Sequence, residues 1–120
     1  MERRSTGALG EKLARNFLKK KGYGLVESNY RCREGEIDII ACQKDYLVFV
    51  EVRTRSNLKF GSPEESITGA KAEHLKKAAL YYCQTHDKMS APWRIDLVAV
   101  ELDSANKLKR IELIQDAIEE

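Results

Sequence analysis

The chain has 120 residues, of which 42% are hydrophobic and 33% charged, and its formal net charge is +2. This suits one globular domain over residues 1–120 with one core, and it excludes disordered and fibrous classes. The charge is too small to argue for a polyanion partner by itself. No apolar run is long enough to cross a membrane. Three cysteines, Cys32, Cys42 and Cys83, show no C-x-x-C or zinc spacing and follow no signal peptide, so a reducing, cytoplasmic compartment is expected. Cys42 and Cys83 read as small core residues.

Residues 1–4 read as a charged, mobile tail. Ser5 or Thr6 is placed to cap a helix running to about Lys21, with Gly22 as its left-handed stop. Leu9, Leu13, Ala14, Phe17 and Leu18 make one apolar stripe at helical spacing. Glu11 falls at the edge of that stripe and can lean over a sheet, although local sequence alone favours a surface Glu11–Arg15 pair at i, i+4. Basic residues crowd the first third of the chain: Arg3, Arg4, Lys12, Arg15, Lys19, Lys20, Lys21, Arg31 and Arg33. A solvated helix surface explains such charges as well as a polyanion does.

Residues 23–33 predict a partly polar strand ending in the turn Glu34-Gly35. Two runs rich in Ile, Val and Phe follow, 37–42 and 47–53, and predict a β-hairpin with the loop 43–46. Cys42 then faces Leu47, Asp38 faces Glu51 and Glu36 faces Arg53. Strict alternation puts Ile37, Ile39, Ala41, Val48, Val50 and Val52 on one face and Asp38, Glu51 and Arg53 on the other. Like charges directly opposite each other repel, so the Asp38–Glu51 pair calls for a cation between them.

Residues 55–65 carry Ser-Asn and Gly-Ser-Pro signals and predict a loop beside that pair, placed where it can close over a ligand. Thr68 caps a second helix to about His86, with Ile67, Leu75, Ala78, Ala79, Tyr82 and Cys83 on its apolar face. Lys71 stands on that face in the first turn, against the helix dipole. Either a nearby anion or snorkelling at the core rim accounts for it. Pro92 opens a strand over Trp93–Leu102, with Arg94 and Asp96 as a local ion pair. Asn106 marks a turn, 108–114 a final edge strand and 116–120 a tail. The order predicts an α/β (α+β) domain, a mixed sheet flanked by helices.

Two carboxylates on adjacent strands, Asp38 and Glu51, with Glu11 as a third, make a hard all-oxygen set suited to Mg²⁺ or Mn²⁺. Arg53 can place a fixed charge on a phosphate but cannot act as a base. Taken alone, D-x12-E-x-R also fits a surface ion-pair network joining Glu36, Arg53 and Asp38.

The runs GEKLARNFLKKKGYGLVESNYR, GEIDII, VFVEVRTRS, ITGAKAEHLKKAALYY and RIDLVAVE, in that order, resemble the YraN-type bacterial family. The resemblance covers residues 6 to 117. It implies a predicted endonuclease, distantly similar to archaeal Holliday junction resolvases, on the αβββαβ core of the PD-(D/E)xK superfamily. It further implies that Asp38 is the metal-binding aspartate, Glu51 the acidic residue of the (D/E)xK element, and Glu11 the first-helix glutamate. Arg53 stands in the motif's lysine position, with Lys71 as the candidate to compensate. DNA is the implied partner, with branched DNA among the candidate forms. A homodimer is also implied, for which Leu58 and Phe60 are candidate contacts.

Overall fold

The structure, a computed structural model, describes residues 3–118. It runs α1 (Arg3–Lys20), β1 (Gly24–Cys32), β2 (Gly35–Gln43), β3 (Tyr46–Arg55), a 3₁₀ turn (Glu64–Ser66), α2 (Gly69–Thr85), β4 (Trp93–Leu102) and β5 (Leu108–Ile118). The sheet order is β1-β2-β3-β4-β5, with β3 and β4 parallel and the other neighbours antiparallel. It is the mixed α+β arrangement read from the sequence, with the helix, three strands, helix and strand of a restriction-endonuclease-like core in order.

The helices cover opposite faces. α1 packs Ala14 and Leu18 onto Ile39, Ala41, Val48, Val50, Val52, Val98 and Val100. α2 packs Leu75, Ala78, Ala79, Tyr82 and Cys83 onto Ile37, Ile40, Phe49 and Ile95. β3 and β4 are therefore buried on both sides, which explains why VFV and IDLVAV are nearly continuous apolar runs rather than alternating ones.

α1 stops as expected: Gly22 is left-handed (φ 91°), and the N–H groups of Gly22 and Tyr23 bond back to the carbonyls of Lys19 and Leu18. Its start differs. The helix already includes Arg3 and Arg4, so Ser5 and Thr6 lie within it rather than before its first turn. Met1 and Glu2, the rest of the expected tail, lie outside the described residues. The second cap is as predicted: Thr68 Oγ1 accepts the Lys71 N–H at 3.1 Å.

The central hairpin has Cys42 facing Leu47, and Gln43 also pairs with Tyr46, which shortens the loop to Lys44-Asp45. Lys44 takes φ 54°, a backbone reversal that two-residue hairpin turns need. Strict alternation fails at Asp38. Its carboxylate accepts the Val52 N–H at 2.8 Å and so stands between the strands, and Ile37 passes to the α2 side instead of joining Ile39. Glu36 faces Arg31 of β1, not Arg53, and forms an ion pair with it at 2.9 Å.

Two further expectations are corrected. Cys83 is buried, but Cys42, near the end of β2, is exposed. β5 runs on to Ile118 because that side chain, 8% exposed and facing Ile95, completes the α2-side core. Its continuation includes Asp116, whose N–H donates to Asp96 at 2.9 Å. Glu119 and Glu120 lie outside the described residues.

α1 approaches β3 at Gly10. A Cβ there would overlap Thr54 Oγ1 and lie 3.0 Å from both Cβ and Cγ2 of Thr54, so no rotation of Thr54 relieves it. Gly10→Ala is expected to destabilise by about 1–3 kcal/mol. Thr54→Ala in the same chain should recover most of that loss, as read by urea denaturation. Additive losses would contradict the close approach.

Candidate active site

The registered β2–β3 pairs end at Ile39 and Val50, one step before Asp38 and Glu51. The strands part there, and a cleft of about 1030 Å³ opens between the ends of both helices. Asp38 and Glu51 line it with Glu11 from α1, Arg53 from β3 and Lys71 from α2. All five residues singled out from the sequence thus meet in one place. Glu11 faces the cleft, as the resemblance implied, rather than only the helix surface.

Glu51 is 7% exposed and Asp38 half-buried. Burial pushes the Glu51 carboxyl up to about 8, reinforced by the charge of Asp38 and a side-chain hydrogen bond with it, against the opposing charges of Arg53 and Lys71. Asp38 is also raised, chiefly by burial, although the Val52 N–H favours its charged form. Glu11 is raised by burial and then by Asp38. These carboxyl groups crowd together at a cost that a cation would remove.

Arg53 is fixed at two points. Its Nε donates to Ser66 Oγ at 2.7 Å, and its Nη1 lies 3.5 Å from Glu51 Oε2. Ser66 in turn donates to the Pro63 carbonyl at 2.6 Å. The 3₁₀ turn that carries Ser66 is held to the sheet by Arg110, which binds Glu64 at 2.8 Å and Glu101 at 2.6 Å. The loop after β3 is thereby tied to β4 and β5.

Some lining residues escaped the sequence reading. His74 lines the cleft one turn after Lys71, with Nδ1 3.2 Å from the Glu34 carbonyl oxygen. The 71-74-75-78 spacing on one helix face is the signal that would have found it. Arg55, two residues beyond Arg53 on the same strand, is a lining cation with an equally legible alternation. Ser66 had no local signal, because it reaches Arg53 only through the fold.

The donor set fits a hard divalent cation. Among the described residues no group of three Asp, Glu, His or Cys side chains is assembled to hold a metal. Magnesium, however, commonly takes one or two carboxylates and keeps waters and substrate phosphate as its other ligands. Asp38 and Glu51 supply such a pair.

An α-β-β-β-α-β order with a carboxylate pair where β2 and β3 part defines a restriction-endonuclease-like α+β domain. The chain belongs to the UPF0102 (YraN) family: the model of "Uncharacterised protein family UPF0102" matches residues 10–100. It is 46% identical to a UPF0102 protein of Caldicellulosiruptor bescii over 98% of this chain and 99% of the relative. It is 46% identical to one of Dehalococcoides mccartyi over 98% and 96%, and 44% identical to one of Moorella thermoacetica over 98% of each. No helix among the described residues is long and apolar enough to cross a membrane.

Proposed function

We propose that this protein is a metal-dependent DNA endonuclease that hydrolyses phosphodiesters, with branched or junction DNA among its substrates. The carrying observation is the carboxylate pair Asp38–Glu51, one half-buried and one buried, forced together in a cleft that also presents Arg53, Arg55 and Lys71. Acids needing a cation beside cations needing an anion are what a metal–phosphodiester complex satisfies at once.

Asp38 and Glu51 would hold Mg²⁺ or Mn²⁺, which when bound neutralises phosphate charge and makes water more acidic. Glu11, on the α1 wall, accepts a hydrogen bond from the attacking water and orients it. Arg53, pinned by Ser66 and Glu51, places its remaining N–H donors on the phosphate. Lys71 adds a second positive charge from α2.

The test is incubation of labelled four-way junction, flap and linear duplex DNA with Mg²⁺ or Mn²⁺ and with EDTA. Cutting that needs the metal is the expected result. Binding without cutting would favour a second reading, a nucleic-acid-binding module on a nuclease fold with lost or partner-dependent catalysis. The observation behind that reading is Arg53 tied down in the lysine position. Neither cutting nor binding would leave the acidic pair a structural feature.

Arg53→Lys is expected to lower cleavage about 10- to 100-fold, since one ammonium cannot span Ser66 and Glu51 and still reach a phosphate. Metal affinity measured by calorimetry should stay within a few-fold. Cleavage at the parent rate would show that the fork of the guanidinium is not used.

A further inference from the structure

Two groups at the edge of the cleft, Arg55 at the end of β3 and Phe60 in the loop beyond it, are assigned no step in the reaction above. Arg55 lines the cleft, and among the described residues its buried Nε has no hydrogen-bond acceptor. Phe60 lines it too and is 81% exposed, the highest value for a large hydrophobic among the described residues.

That exposure is built. The Gly61 N–H closes a turn onto the Leu58 carbonyl at 3.1 Å, with Gly61 at φ 102° and Phe60 just before it. Asn57 Oδ1 accepts the Lys59 N–H at 2.9 Å. Beyond the turn, Ser62 and Glu65 exchange bonds, the Ser62 N–H to Glu65 Oε1 at 2.8 Å and the Glu65 N–H to Ser62 Oγ at 3.2 Å. The turn that carries Phe60 is thus held by its own hydrogen bonds, and the ring stands exposed with Lys59 Nζ 5.8 Å from its centroid.

We propose that Phe60 is a stacking platform for an unpaired nucleobase, on a strand whose phosphates lie against Arg53 and Arg55. This rests on the nucleic-acid reading of the cleft and deepens it. Charge complementarity sets the occupant: Arg53, Arg55 and Lys71 line the same cleft as an apolar ring that has Lys59 beside it, the combination that binds single strands through backbone charge and base stacking. A base inside a continuous duplex is already stacked on both faces and must be extruded to reach the ring. A base at a gap, flap or branch is not. The cleft therefore selects DNA with a nucleotide outside the stack.

The test is binding by the full chain in EDTA, so that catalysis plays no part. Fluorescence anisotropy is read on a blunt duplex, the same duplex carrying a single-stranded gap, and a single strand. Phe60→Ala should weaken binding to the gapped and single-stranded DNA roughly 5- to 150-fold and leave the blunt duplex within about twofold, with Phe60→Tyr restoring it. Parent and Phe60→Ala binding gapped DNA equally would overturn the stacking role and leave the nucleic-acid reading standing. A parent that binds none of the three DNAs would overturn both. A dimer in the parent that Phe60→Ala converts to monomer, with affinity per protomer unchanged, would assign the ring to a second copy instead. The exposed position keeps the fold of the variant, checked by an unchanged thermal transition.

Discussion

Glu51→Gln is expected to abolish metal-dependent cleavage, with a loss beyond the roughly 10²–10³-fold that removal of one transition-state-stabilising group costs. Calorimetric Mg²⁺ or Mn²⁺ binding should disappear with it, and the fold should remain. Burial and the neighbouring Asp38 hold the Glu51 carboxyl protonated up to about pH 8 in the metal-free protein. The amide is nearly isosteric with that neutral acid and keeps a donor toward Asp38. A pH signature follows. The folded chain keeps a proton between the ordinary glutamate range near 4.5 and about 8 that the unfolded chain releases. Stability in EDTA should therefore be greatest below that window and fall as pH rises through it, by up to about 1.4 kcal/mol per pH unit. Glu51→Gln should flatten this slope. Metal binding, which needs the carboxylates ionised, should strengthen over the same window. Retained cutting by Glu51→Gln would move the site elsewhere.

The largest stability effect is expected in the strand beside the site, β4, where Asp96 pairs with Val50. Asp96 is fully buried, and its carboxylate accepts from Arg94 Nε at 2.9 Å, the Asp116 N–H at 2.9 Å and the Tyr23 hydroxyl at 3.0 Å. Arg94 Nη2 also donates to Tyr23 at 2.9 Å and to Gln43 at 2.7 Å, and Gln115 donates to Tyr23 at 2.9 Å. Three strands, β2, β4 and β5, and the link from α1 to β1 meet at one satisfied charge pair. Arg94→Met would strand a carboxylate in the core and is expected to cost about 3–5 kcal/mol in urea denaturation. Adding Asp96→Asn should recover part of that loss, because a neutral amide tolerates the missing cation. Strict additivity of the two substitutions would show that the charges do not stabilise each other.

The extended runs 37–42 and 47–53 and the break between them made the hairpin legible, and with it the place of Asp38 and Glu51 one step beyond its last registered pair, Ile39 with Val50. The cap at Thr68, the stop at Gly22 and the Arg94–Asp96 pair were equally local features, each spanning only a few residues. The errors came where a strand's neighbours overrule its own pattern. Alternation could not anticipate that Asp38 would bond the Val52 N–H and turn Ile37 over, nor that Arg31 rather than Arg53 would face Glu36. β5 outran its apolar pattern because Ile118 finds cover in a core built by α2.

The sequence by itself determined the element order, the hairpin and the carboxylate pair, because periodicity, turn residues and register act over a few neighbouring positions. Only the tertiary structure decided that Glu11 and Lys71 would reach that pair, that Ser66 would hold Arg53, and that Phe60 would stand at the cleft's mouth. Those placements depend on how closely two helices can pack on opposite faces of the sheet. Gly10 against Thr54 sets the approach of α1, and Ala78 and Ala79 under α2 set the other. Such distances join residues far apart in the chain, and no local pattern contains them.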